Sequence, residues 1–468
     1  MRPGTTRSVF LQPMRALGTR LHAAAPHHAA ILRGMLTVAA FVFVGKLVSA
    51  MKEMAVAYRY GLGAEVDAYQ FLYTVIGWPL GVWSSVLTAV LVPLAVRLRK
   101  QPEQLASFRA ELLALVIVAG VALAGLLWLV LHTMFQLGHS GLPPPLAGLA
   151  GAALPGLILM LPLGMLTALQ SAWMLAAERH VNTLLECIPP LSIAALVMAL
   201  PGGGMRALVW GTIAGSALHL LSLLLPRDRH ATEGAPRFAL SSPQWRWFWQ
   251  GFGIMVGGQA LMSLTVVIDQ FYAAGLGTGA IAMLGYANRI LSLILGLAAI
   301  AVSRATLSIF AQGHAQGAAH LRAVARLWAG ILFALGLLAM LVSYSAAPWM
   351  VQLLYERGQF SAADTVAVAE VLRYGLPQMP FYFSSMVLVS YALSQRRYEL
   401  VFFSALIGCV AKIAGNALLV PALGVNGIAL GTMFVYASTG LLFWYALVNR
   451  GPRDEGGSGG RATGKRCP

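Results

Sequence analysis

The chain has 468 residues, of which 58% are hydrophobic and 10% charged, against about 25% charged in a typical soluble domain. Its formal charge of +16 sits in short basic segments between long apolar runs, which is the pattern of topogenic loops and argues against a nucleic-acid surface. Cys187, Cys409 and Cys467 form no pairing framework and carry no metal-ligand spacing, which argues against a disulfide scaffold or a zinc module.

In chain order, residues 1–33 carry five arginines and no acid and read as a basic cytoplasmic segment. The helix that follows is too long for a signal h-region and has no small-residue cleavage site, so it is read as a retained first span. Spans are expected at 34–58, 68–96, 110–134, 145–171, 182–200 and 206–225, making an N-lobe over 34–225. A cytoplasmic linker over 226–246 precedes spans at 247–274, 280–310, 324–345, 366–393, 400–420 and 425–448, the C-lobe over 247–448. The Gly-rich polar tail, 449–468, is expected to be disordered and cytoplasmic. The expected fold class is an all-α polytopic membrane protein of about 12 transmembrane helices, each near the roughly 20 residues that cross a bilayer.

Placing both termini in the cytoplasm leaves 23 Lys and Arg residues on the inner side. Arg59, Arg206, Arg357 and Arg373 are the four outside. That asymmetry requires an even number of spans and agrees with twelve. The halves also resemble each other. Tyr60-Gly61-Leu62-Gly63 parallels Ala274-Gly275-Leu276-Gly277, and Ala207-Leu208-Val209-Trp210-Gly211-Thr212 parallels Ile428-Ala429-Leu430-Gly431-Thr432. Arg179-His180 parallels Arg396-Arg397. Six spans per half is even, so the two lobes are expected as a parallel repeat around a central cavity.

Charges inside apolar spans cost roughly 2.5–3.5 kcal/mol each on insertion scales and usually line a cavity or pair with one another. The first span carries Lys46, Lys52 and Glu53, with Lys46 and Glu53 seven residues apart on one face. An anion-binding cavity wall is weighed against an ion-pair stitch between helices, with the cavity preferred. Asp269 and Gln270 fall in the seventh span, Asn288, Arg289 and Arg304 in the eighth, Lys412 and Asn416 in the eleventh, and Glu186 in the fifth. Asp269 or Glu186 is a candidate for a coupling proton or cation, or equally for pairing with a neighbouring base. Asp67, at the start of the second span, is read first as a helix cap and second as a cavity group.

Other features have bland readings. Gly275-Leu276-Gly277-Thr278-Gly279 lacks the strand and the Lys-Ser/Thr of a phosphate loop. His27, His28, His132, His139, His314 and His320 have no partners at metal spacing. Trp245, Trp247 and Trp249 beside Arg246 read as an interfacial belt. No nucleophile–base arrangement is present, so a transporter is expected and not an enzyme.

Longer motifs carry a family resemblance. Leu354-Tyr355-Glu356-Arg357-Gly358-Gln359-Phe360-Ser361-Ala362-Ala363-Asp364-Thr365, Gly45 through Glu53, Gly61 through Tyr69, and Gly285-Tyr286-Ala287-Asn288-Arg289 resemble the MurJ/MviN lipid-linked saccharide flippases. These belong to the MOP superfamily, which also holds the MATE drug exporters and the Wzx-type flippases. The resemblance covers roughly 34–448. It implies a substrate diphosphate held by Lys46, Lys52 and Arg289, where the family carries arginines at the first two. The charged and polar groups inside the spans add Glu53, Asp67, Asp269, Gln270, Asn288, Lys412 and Asn416 as cavity or coupling candidates, with Asn288, Asn416 and Gln270 expected to meet sugar hydroxyls.

A further basic pattern of the family's second span is replaced here by Leu80-Gly81-Val82-Trp83-Ser84-Ser85-Val86, and the two extra C-terminal spans usual in the family are absent. Both departures point to a relative that moves another polyprenyl-diphosphate-linked saccharide, such as an exopolysaccharide unit, by alternating access across a bacterial inner membrane. A true lipid II flippase is the alternative, followed by a MATE-like drug/cation antiporter and a non-transporting membrane scaffold. No cofactor is expected beyond a coupling cation or proton, or the membrane potential. The expected partners are the lipid-linked saccharide, membrane lipid and envelope-biosynthesis enzymes, with no nucleic acid.

Overall fold

In hydrocarbon every backbone amide must be bonded within the protein, and a helix does so within its own segment. The computed structural model describes residues 26–179, 181–200, 202–225, 236–313, 318–395 and 397–449, and among them the regular structure is entirely helical. The first half contains α1 (Pro26–Tyr60), α2 (Ala64–Leu98), α3 (Pro102–Gln136), α4 (Pro144–Leu157), α5 (Met160–Ala176), α6 (Val181–Leu185), α7 (Ile188–Ala199) and α8 (Met205–Leu224). The second contains α9 (Gln244–Ala274), α10 (Ala280–Gly313), α11 (Ala318–Tyr355), α12 (Ala362–Gly375), α13 (Gln378–Ser394), α14 (Tyr398–Leu423) and α15 (Val425–Phe443), then a π-helical turn at Trp444–Asn449. Among the described residues eight spans are long and apolar enough to cross a membrane, α6 and α7 together making one of them, or nine when the bent pair α4–α5 also counts as one span. The chain is a multi-pass membrane protein. Of the predicted basic segment 1–33, linker 226–246 and tail 449–468, residues 1–25, 226–235 and 450–468 lie outside the described residues.

The two halves repeat in order and in local detail. In each, the fourth element is a helix pair broken at a proline. The α4–α5 pair bends by 44°, and Pro162 has no amide to return to the Ile158 carbonyl four residues back. In the second half the break between α12 and α13 falls at Leu376-Pro377, and Pro380 likewise stands four residues past Leu376. The last helix of each half starts from a glycine in the same unusual conformation, Gly204 at φ 50° and ψ −141° and Gly424 at φ 56° and ψ −131°. An L side chain rarely adopts such a backbone.

Where the halves meet at one end, the contact is tight and partly polar. We call it the sealed end. The Gln359 amide donates to the Tyr58 carbonyl at 2.8 Å, and the Tyr286 hydroxyl to the Gly61 carbonyl at 3.2 Å. Tyr286, Tyr355 and Phe360 pack behind them, tilted or edge-on, with centroids 4.8–5.8 Å apart. Gly61 (φ +53°) is obligatory, because a Cβ there would lie 2.6 Å from the Gln359 carbonyl oxygen. A buried apolar core runs continuously from α1, α2 and α4 of the first half into α10, α12 and α13 of the second.

Toward the other end, a second core of α2, α3 and α5 takes in two aromatic residues of α9, Trp245 and Phe248. Phe108 packs edge-on against both. The expectation of an interfacial belt is therefore corrected for Trp245, which is 6% exposed. Its indole donates at 2.6 Å to Glu111, whose carboxylate also accepts from Ser241 Oγ at 2.8 Å and the Ser242 amide at 3.1 Å. Trp249 remains exposed, and Arg97 lies over the Trp247 ring.

Candidate functional site

Between the halves lies a half-open cavity of about 740 Å³, within the usual size of small-molecule sites. It begins just beneath the sealed end, at Glu53 and Val56 of α1 and Tyr69 of α2. It runs down α9 and α10 and along α13, α14 and α15 as far as Ser390, Ser404 and Phe443. Its walls carry the charges that the apolar runs could not hide.

The first polar cluster is built by α1 and α10. Lys52 and Glu53 are neighbours in sequence, and their backbone directions diverge by about 100°. The long lysine stem closes that gap: Lys52 Nζ lies 2.7 Å from Glu53 Oε1. Arg289 Nε reaches the same oxygen at 3.0 Å from the other half. Lys52 and Glu53 are buried, while the Arg289 side chain is 53% exposed. One carboxylate oxygen thus holds two cations, and the cluster carries a net charge of +1. Lys52 also sits 5.8 Å from the centroid of the Tyr73 ring. Its five-donor planar fork lets Arg289 take a second oxyanion while keeping Glu53.

The second cluster is built by α9, α14 and α15. Lys412 is 1% exposed, and its ammonium is surrounded by oxygen: Asp269 Oδ1 at 2.8 Å, Thr432 Oγ1 at 2.7 Å and the Ile428 carbonyl at 3.0 Å. Asn416, one turn along α14 from Lys412, donates to the same Asp269 oxygen at 3.0 Å. The i, i+4 spacings 412/416 and 428/432 put each pair on one helix face. Burial of both charges is tolerable only because each is paired and hydrogen-bonded.

The structure brings Lys52, Glu53, Arg289, Asn288, Asp269, Gln270 and Lys412 to the cavity wall. Gln270 Oε1 is buried there with no hydrogen-bond partner among the described residues. Three expected site residues lie elsewhere. Lys46 is exposed and outside the cavity lining, six residues and about 9 Å along α1 from Lys52. Asn416 is wholly buried behind Lys412, where it serves Asp269 instead of facing a ligand. Asp67 is also fully buried, and its carboxylate accepts the backbone amides of Gly279 and Ala282. It is a helix cap, as its position suggests, but it caps the start of α10 in the other half and not its own helix. Glu186 of the first half is likewise outside the lining. The side chain of Arg304 lies outside the described residues.

Sequence reasoning passed over the uncharged part of the wall. On α13, Gln378, Tyr382 and Ser385 face the cavity, and on α15 so do Thr432, Tyr436 and Thr439. Both sets follow i, i+4, i+7, a helical stripe of polar groups inside an apolar span. That spacing was the available signal.

Comparison with known proteins comes at three levels. Residues 56–456 match the family model described as lipid II flippase MurJ. A probable lipid II flippase MurJ of Helicobacter pylori is 30% identical over 210 residues, 43% of this chain and 44% of that protein. Another, of Vibrio cholerae, is 27% identical over 215 residues, 42% of this chain and 40% of that protein. The matched part thus spans less than half the length of these curated relatives. Among solved structures, a lipid II flippase MurJ in an inward closed conformation superposes with a TM-score of 0.76 at 18% identity, covering 88% of this chain and 87% of that one. An inward-facing multidrug resistance MATE family transporter of the MOP superfamily gives 0.70 at 16% identity, covering 86% and 93%. At such identities the likeness establishes the fold.

Proposed function

Because the chain belongs to the lipid II flippase MurJ family, a family of transporters and not of enzymes, we propose that it flips a polyprenyl-diphosphate-linked saccharide across the membrane by alternating access. Lipid II is the substrate the relatives favour, since the family model and the curated matches all carry that name. The expectation of a different envelope saccharide ranks second. It rests on the apolar stretch Leu80–Val86, where the family resemblance called for bases.

The observation that carries the reading is the cluster at the top of the cavity. Lys52 and Arg289, from opposite halves, converge on one oxygen of Glu53. A diphosphate entering there would meet two cations already gathered, at the cost of displacing one carboxylate. Point-charge and forked recognition would combine, Lys52 supplying the first and Arg289 the second. The prenyl tail would stay in the bilayer. With both termini in the cytoplasm of a bacterial inner membrane, the seal would lie on the outer side and the cavity would load from within.

Asp269 is occupied by the chain's own ammonium at 2.8 Å, so the membrane potential is the driving force we favour over a cation bound at Asp269. Moving one charge through 100 mV is worth about 2.3 kcal/mol.

The test is reconstitution of purified protein into liposomes with fluorescent lipid II or with a polyprenyl-diphosphate exopolysaccharide unit. Flipping of lipid II, abolished in Lys52→Gln/Arg289→Gln protein that still folds, is the expected result. Flipping of the second substrate alone would move the assignment to the other saccharide. Undiminished flipping by the double variant would remove the anion site from the mechanism.

A further inference from the structure

The second half contributes a wall to the cavity that the charges do not explain. Tyr382 of α13 and Tyr436 of α15 stand edge to face, with ring centroids 5.1 Å apart and planes at 86°. Both are partly exposed and line the cavity, and neither phenol hydroxyl has a hydrogen-bond partner among the described residues. A hydroxyl neighbour stands three residues on from each tyrosine, Ser385 and Thr439. The Thr439 hydroxyl donates to its own helix, to the Val435 carbonyl at 2.9 Å, and so keeps its lone pairs for a ligand. The two hydroxyls open into the cavity beside those of Ser385 and Thr439, and each can donate and accept, so together they form a surface suited to a partner that brings its own hydroxyls.

We propose that this wall is a saccharide subsite, spatially separate from the anion cluster, and that Tyr382 and Tyr436 are its specificity-determining residues. The inference rests on the flippase reading above and adds to it where the headgroup's sugars lie. The chemistry fits a pyranose. One face of a sugar ring is rich in C–H groups and packs against an aromatic ring, while its rim of hydroxyls donates and accepts. Two rings at right angles present one face and one edge, each with a phenol oxygen at its end. An apolar cargo would leave these hydroxyls unpaired. The cavity is lined by the cations at its α1–α10 end and by the tyrosines on α13 and α15, so a headgroup with diphosphate at one end and sugar at the other lies across the interface between the halves. Rocking of the halves would then be felt by both parts of the substrate.

The experiment uses the purified full-length protein in detergent and two probes. They are farnesyl diphosphate and the same molecule bearing an N-acetylhexosamine disaccharide. Wild type is expected to bind the sugar-bearing probe about tenfold more tightly, the scale of one or two net hydrogen bonds. In Tyr382→Ala/Tyr436→Ala protein that preference should fall to within twofold, with affinity for farnesyl diphosphate unchanged. Should that variant not fold, Tyr382→Phe/Tyr436→Phe keeps the rings and removes the hydroxyls, and its preference should fall to about threefold. Equal affinity of wild type for the two probes overturns the subsite while leaving the flippase reading in place. A Phe variant with the full tenfold preference, or an Ala variant that weakens both probes alike, overturns it too. Failure of wild type to bind either probe overturns both readings.

Discussion

The carboxylate of Asp67 accepts the backbone amide of Ala282 at 2.7 Å, across 215 residues of sequence. Its other oxygen takes the amide of Gly279. Residues at the start of a helix have amides with no partner inside it, and a carboxylate supplies both acceptor and favourable charge there. The seal between the halves is thus partly a helix cap whose cap residue belongs to the opposite half. Asp67→Ala should orphan two amides, at about 1–3 kcal/mol each, and shift the population toward the unsealed state by roughly tenfold or more. Maleimide reactivity of a cysteine at position 57, now 0% exposed, reads that population in a background lacking the native cysteines. Unchanged reactivity would mean that the cap does not hold the seal.

Gly358 predicts a second route to the same state. Its φ is +65°, and an added Cβ would overlap the Tyr58 carbonyl oxygen. Gly202 has φ +88° but nothing within 4 Å of such a Cβ. Gly202→Ala should therefore cost only the left-handed backbone penalty, about 1–2 kcal/mol. Gly358→Ala should in addition unseal the cavity and lower flipping by about tenfold or more. Similar behaviour of the two variants would show that backbone strain, and not contact between the halves, governs this loop.

Glu53 makes a prediction about the empty state. It is the shared counter-charge of Lys52 and Arg289, so Glu53→Gln leaves two cations facing each other with reduced compensation. The variant should melt several degrees lower than wild type and regain much of that loss when millimolar pyrophosphate is added, because a ligand that binds only the folded protein stabilises it. Wild type should gain less from pyrophosphate. The reverse ranking in a thermal-shift assay would argue that Glu53 does not compete with the anion.

The Asp269–Lys412 pair calls for a double-mutant cycle. Lys412→Met alone strands a buried carboxylate, and breaking such a pair costs roughly 3–5 kcal/mol. Adding Asp269→Leu removes the stranded charge and should recover most of the loss in thermal unfolding. Additive losses would mean that the two residues are not energetically coupled, despite their 2.8 Å separation.

Much of this was legible in the sequence, for a physical reason. A charge inside an apolar span is costly enough to stand out, so Lys52, Glu53, Arg289, Asp269 and Lys412 were all visible as site residues before any geometry. Their partners were not. Helix periodicity places Lys52 and Glu53 on different faces, yet the lysine stem is long enough to bring its ammonium back to Glu53. Lys46 shares the helix and the charge type, but lies too far along α1 to reach the cavity. The role of Asp67 depended on a contact with the other half that no local window contains. Tyr382 and Tyr436 were hidden in a different way. Tyrosine, serine and threonine are cheap enough in a span to pass as background, and only their common spacing and orientation made them a wall. Trp245 misled because amphipathic indoles suit both a membrane interface and a buried hydrogen bond.

The anchoring of α9 has a mechanical consequence. Its first turns, with Trp245 and Phe248, are fixed in the first half's core and tied to Glu111, whereas near its far end Asp269 pairs with Lys412 of the second half and Phe271 packs edge-on against Phe71 of the first. One helix is therefore held by both halves, and the rocking proposed above would load it. Flexure would then fall within the rod. Gly251, Gly253, Gly257 and Gly258 lie between the two clamps, where the absence of side chains makes the helix weakest by about 1 kcal/mol per glycine. If the halves rock as proposed, residues 251–258 would act as a leaf spring, and their stiffness would set how far one half swings for a given load on the other.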